Sequence, residues 1–153
     1  MMLQNKSKTK LTLDLVQGKC NGYFESRWIV NDKEILYNDG SSKLPDNLDL
    51  DVELPCQIKI HLTGRTDNDH KQLNGKVLAS KYIETVGAKL SGIPIEKNVL
   101  ENLCQFIDEH GNSNFGLYWD KNLIVEINIP GHDPIEWHLK NNNFSHQYRS
   151  GWT

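Results

Sequence analysis

Leu48-Asp49-Leu50-Asp51-Val52-Glu53 alternates apolar and acidic residues without a break. A period of two puts every second side chain on the same face of an extended strand. This stretch therefore predicts a strand with a dry leucine/valine face and a wet carboxylate face. The same alternation recurs in both directions along the chain. Leu11, Leu13 and Leu15 show it upstream, and Ile58, Ile60 and Leu62 show it just downstream. Leu123, Val125, Ile127 and Ile129 repeat it, as do Ile135, Trp137 and Leu139. Antiparallel sheets with one buried and one solvated face read this way.

Turn chemistry falls between the runs. Asn31-Asp32-Lys33 separates Phe24–Val30 from Glu34–Tyr37 and predicts a hairpin. Asn38-Asp39-Gly40-Ser41-Ser42 reads as a loop, and Asn74-Gly75 as a tight turn. Pro45, Pro55, Pro94, Pro130 and Pro134 stand beside run ends, where a missing N–H does least harm. One segment departs from the period of two. Val99, Leu100, Leu103, Phe106 and Ile107 are spaced as on one helix face, so a single helix is expected over about 96–109. His110-Gly111-Asn112 would end it. The expected fold is mainly β, an antiparallel β-sandwich or jelly roll with one short helix. Residues 1–10 read as a flexible polar tail, 11–143 as one domain and 144–153 as an aromatic C-terminal tail.

The chain has 153 residues, enough for one two-layer core, and a formal net charge of -3. An acidic balance argues against direct nucleic-acid binding driven by phosphate neutralisation. No run of about 18 apolar residues is present, which argues against membrane insertion. Met1 to Lys10 has no apolar stretch of the secretory kind. Cys20, Cys56 and Cys104 are widely spaced, form no CxxC pair, and read as free thiols. No GxSxG, HExxH, P-loop or GxGxxG motif occurs, so catalysis is not expected. Asparagine is abundant and lysine outnumbers arginine, a bias typical of AT-rich coding sequence.

Thr63-Gly64-Arg65-Thr66-Asp67-Asn68-Asp69-His70 follows an excellent strand. Asp67 and Asp69 are hard oxygen ligands of the kind Ca²⁺ takes, and Asn68 adds an amide. An EF-hand is excluded, because Lys71 and Leu78 stand where that loop needs oxygens. The plain alternative is a solvated hairpin loop. Asp46, Asp49, Asp51 and Glu53 read as the charged face of an edge strand. His61 lies on a polar strand face and His132-Asp133 in a turn. Trp137, sharing a predicted strand face with Ile135 and Leu139, is expected in the core. Trp119, after Phe115 and Tyr118, is expected to be partly exposed and is a candidate ligand-binding residue. Phe144, Tyr148, Arg149 and Trp152 are of the types that anchor interfaces, and are candidate partner contacts.

Two segments carry a family resemblance. Gly22-Tyr23-Phe24-Glu25-Ser26-Arg27-Trp28-Ile29-Val30-Asn31-Asp32-Lys33-Glu34-Ile35 resembles a strand hairpin of calcium-dependent xylan-binding-type carbohydrate-binding modules. Ile58 to Ile93 resembles the core of the same family, with Asp67-Asn68-Asp69 at the place of its ligand loop. The stretch Ile60 to Asp69 is also similar to one in proteins of tailed phages. The resemblance implies a β-sandwich, and Ca²⁺ held by Asp67 and Asp69. Ser80 stands where those modules carry an aspartate. Two functions follow as expectations. One is a non-enzymatic structural or accessory protein of a phage particle, in a virion or the host cytoplasm, assembling with virion proteins or with itself. The alternative is a calcium-dependent module binding a glycan.

Overall fold

The computed structural model describes residues 7–141. Strand β4 (Asn47–Leu54) buries Leu48, Leu50, Val52 and Leu54, and exposes Asp49 and Asp51, as the alternation predicts. After Pro55, strand β5 (Cys56–Thr63) buries Cys56, Ile58, Ile60 and Leu62. Strand β1 (Ser7–Gly18) turns Leu11, Leu13 and Leu15 inward. β1 already pairs from Ser7, opposite Leu54, so residues 7–10 belong to the sheet rather than to a tail. The reason is register: Thr9 and Lys10 extend the same ladder that Leu11 begins.

Two antiparallel sheets face each other. The first contains β1, β4, β8 (Tyr82–Leu90), β9 (Ile93–Pro94) and β12 (Tyr118–Trp119). Its order is β12-β8-β1-β4, with β9 on β8. The second contains β2 (Glu25–Val30), β3 (Lys33–Asn38), β5, β10 (Cys104–Asp108), β11 (Ser113–Phe115) and β13 (Leu123–Ile129). Its order is β11-β10-β13-β5-β2-β3. One apolar cluster fills the space between them, with Trp28 and Trp119 fully buried. The Trp28 indole N–H donates to Ser26 Oγ at 3.0 Å, so this buried polar atom is satisfied. The protein is thus a β-sandwich. A third, two-stranded sheet pairs β6 (His70–Leu73) with β7 (Lys76–Ser80) alone.

The expected hairpin turns form. Asn31 and Asp32 have φ of 48° and 68°, and Asn74 and Gly75 have 53° and 77°. Two central residues at positive φ suit the right-handed twist of the strands they join.

Two expectations about local structure are corrected. The helix over 96–109 is only half helix. α1 spans Lys97–Leu103, and the chain then extends as β10, paired with β13. Val99, Leu100 and Leu103 follow helical spacing, whereas Cys104 and Phe106 follow strand spacing toward the core. The strand expected over Ile135, Trp137 and Leu139 is instead α2 (Pro134–Asn141). Asp133 Oδ1 accepts the Ile135 N–H at 2.8 Å, and Pro134 opens the helix. An aspartate cap followed by proline at the first helical position is a helix-start signal, and it outweighs a three-residue alternation. Trp137 is in the core as expected, but beside His138 rather than on a face with Ile135 and Leu139, which are exposed.

Candidate functional site

The loop between β5 and β6 carries the residues singled out in the sequence. It contains a short 3-10 turn, Asp67–Asp69, and leads directly into the β6–β7 hairpin. Asp69 is buried, and its carboxylate is fully engaged. Oδ1 accepts the Asn21 amide at 3.0 Å, and Oδ2 accepts the Thr66 N–H at 2.8 Å. Oδ2 also lies 3.3 Å from the Lys81 ammonium, itself buried. Lys81 Nζ donates further to the Gly64 carbonyl at 3.1 Å. Two charges taken out of water require such fixed partners. Burial alone would push the Asp69 carboxyl up. The Thr66 N–H, the Asn21 amide and Lys81 outweigh it and hold the carboxyl below the ordinary aspartate range.

The same cluster fastens the hairpin to the body. Asp69 immediately precedes β6 and Lys81 immediately follows β7. The Lys81 N–H donates to the Asp69 carbonyl at 2.9 Å. Arg65 Nε donates to the Lys81 carbonyl at 3.0 Å. Asn122, just before β13, clamps Arg65 with two bonds of 2.9 Å: its Oδ1 accepts the Arg65 N–H and its Nδ2 donates to the Arg65 carbonyl. Loop, hairpin base and both sheets are joined through these few polar groups.

The turn separates the two carboxylates expected to bind Ca²⁺. Asp67 is exposed and Asp69 is buried against Lys81. The Asn68 carbonyl accepts the Asn21 amide at 3.1 Å. The Ser80 hydroxyl and His70 Nδ1 are hydrogen-bonded at 3.0 Å. Among the described residues, no three His, Cys, Asp or Glu side chains converge as a metal site. A polar cleft of about 290 Å³ lies beside the loop, lined by Arg65, Asp67, Asp108, Glu109, His110 and Lys121 among others. Asp108 turns back on its own chain. Its carboxylate accepts the Asn112 and His110 N–H groups, which hold it below the ordinary range.

Trp119 is corrected as a ligand contact. It is fully buried, and its indole N–H donates to the Gly116 carbonyl at 3.0 Å. On β12 its neighbour Tyr118 takes the outward position, because successive side chains on a strand point to opposite faces. Tyr118 stacks on Tyr82 with ring centroids 5.2 Å apart and an interplanar angle of 29°. Gly18 lies beneath the Tyr82 ring, where any Cβ would overlap both that ring and the Ser80 carbonyl oxygen. Sequence reading passed over this half-exposed pair; the Tyr-Trp step on a short strand was its only signal.

The hairpin β6–β7 exposes three large apolar side chains. Leu73, Val77 and Leu78 are 60%, 54% and 62% exposed. A lone two-stranded hairpin is marginal in water. This one projects from the sandwich as an arm, held at its root by Asp69 and Lys81. At the opposite side of the first sheet, β4 is an edge strand and presents Asp49, Asp51 and Glu53.

The three thiols are free and buried. Burial pushes Cys56 up to about 11 and Cys104 up to about 12, so both stay protonated near neutral pH and are poor nucleophiles. Phe144, Tyr148, Arg149 and Trp152, the expected partner contacts, lie outside the described residues. In comparisons with known proteins, the chain matches no family model, no curated protein and no solved structure.

Proposed function

We propose that the protein works by assembly, as a non-enzymatic structural or accessory component of a phage particle. The observation that carries this reading is the β6–β7 arm. Three large apolar side chains on a hairpin that has no other sheet partner among the described residues cost solvation unless something covers them. The root of the arm is built rigidly, around a buried ion pair and the Arg65–Asn122 clamp. A rigid root suits a part that meets a partner in one orientation. The likeness of Ile60–Asp69 to tailed-phage proteins supplies the setting. No helix among the described residues is long and apolar enough to cross a membrane.

Lysine cross-linking and mass spectrometry on particles that contain the protein tests the reading. Lys71 and Lys76, both on the arm, are expected to link to other polypeptides or to other copies. Arm lysines linked only within their own chain would sink it.

A second reading, calcium-dependent glycan binding, is favoured by the stack of exposed Tyr118 on half-buried Tyr82, with Arg65 close by. Sugars stack on such faces. Asp67→Asn is the informative variant, since Asp69 is committed to Lys81. The reading expects Ca²⁺ to raise the melting temperature in the wild type but not in Asp67→Asn. An identical melting curve in calcium and in EDTA rejects it.

A further inference from the structure

We propose that the partner of the arm is a second copy of this chain, and that its seat is the acidic edge strand β4 with the groove beside it. This rests on the assembly reading and names the partner that reading leaves open. Residues 70–80 carry His70, Lys71 and Lys76 and no acid. The outward side chains of β4 are Asp49, Asp51 and Glu53. Among the described residues, β4 has no neighbour on its outer side, and each arm strand pairs only with the other. A strand added to a free edge gains a row of backbone hydrogen bonds and side-chain pairs.

The groove beside β4 combines apolar groups with charges of both signs. It measures about 680 Å³ and is floored by Val30, Ile35 and Val52. Asp51 and Glu53 form one rim, with Lys8 and Lys33 also on its lining. Ile35 is partly open to solvent there. On the arm face that carries Lys71 and Lys76, Leu73 supplies an apolar side chain for such a floor, and the two lysines supply charge for the carboxylate rim.

The geometry favours a second copy over the arm's own chain. The root of the arm lies where β8 begins, and Tyr82 pairs with Gly18 at the end of β1. Asp51 pairs with Lys10, eight residues back along β1. At roughly 3.3 Å per residue that is about 26 Å, whereas a four-residue arm strand reaches about 13 Å. The charges also set the mode of assembly. Two β4 edges paired with each other would oppose Asp49, Asp51 and Glu53 with their own copies, which is unfavourable. Each copy offers one arm and one edge, so arm-to-edge contacts either close reciprocally into a two-fold dimer or continue head to tail into rings or open chains.

Sedimentation velocity over a concentration ladder, at low and high salt, tests this with charge-reversed variants at exposed positions. The wild type is expected to self-associate, to a dimer or beyond, as concentration rises, and to dissociate in high salt. Lys71→Glu/Lys76→Glu and Asp49→Lys/Asp51→Lys are each expected to remain monomeric while keeping the wild-type far-UV circular dichroism. Mixing the two variants is expected to restore association, because each then offers a complementary surface to the other. A wild type that stays monomeric at its highest soluble concentration overturns the inference. So does either variant assembling as the wild type does, or a mixture that stays monomeric. If the pure chain is monomeric while Lys71 and Lys76 still cross-link to a different polypeptide in particles, the arm-to-edge inference fails and the assembly reading stands. Monomer without such cross-links removes both.

Discussion

Asp69 Oδ2 and Lys81 Nζ lie 3.3 Å apart, both buried, and these two residues bracket the β6–β7 arm in the chain. The carboxylate that reads in the sequence as a metal ligand is therefore the anchor of an exposed hairpin. Its partner is supplied by the residue on the other side of that hairpin.

Removing one member of this pair leaves the other as an uncompensated buried charge. Asp69→Ala and Lys81→Met are each expected to cost about 3–5 kcal/mol. Urea unfolding of the two variants measures this. A loss under about 1 kcal/mol, the range of surface pairs, would mean that the pair is effectively solvated.

The Asp69 carboxyl is held below its unfolded value of about 3.9. Its ionised form therefore stabilises the fold above that pH, and this contribution is lost as pH falls through the lower native value. The stability gap between wild type and Asp69→Asn is expected to be constant at neutral pH and to shrink on acidification below about 4. Unfolding titrations from neutral to acid pH check this, and a gap that widens in acid contradicts it.

Gly18 leaves room for the Tyr82 ring and the Ser80 carbonyl oxygen. Gly18→Ala is expected to destabilise by about 1–3 kcal/mol, as overpacking does. It should also change the near-ultraviolet circular dichroism through the Tyr82–Tyr118 stack. An unchanged spectrum and melting point would show that both neighbours yield easily.

Adjacent residues Tyr118 and Trp119 are expected to behave oppositely. Trp119→Ala empties a fully buried site and should cost about 3–5 kcal/mol. Tyr118, 47% exposed, should tolerate Tyr118→Ser with a much smaller loss. Thermal unfolding of both variants decides it; equal losses would contradict the opposite orientations on β12.

Alternation alone determined most of the sandwich. Leu48–Glu53, Ile58–Leu62 and Leu123–Ile129 became strands facing the core as read, because a period of two leaves one face to bury and one to wet. Asn31-Asp32 and Asn74-Gly75 set their hairpins because few other residues accept positive φ at both positions. Short-range pattern did not suffice where neighbours compete for the same residues. Cys104–Asp108 is a strand because β13 offers it a ladder. Pro134–Asn141 is a helix because Asp133 caps it and the core takes Trp137 and His138 together. The pairing of Asp69 with Lys81 came only with the tertiary structure. A carboxylate in a polar loop looks the same in sequence whether it faces a cation in solvent or an ammonium in the interior. Here folding carried Lys81 to its side, twelve residues on, and a buried charge keeps the partner that replaces its water.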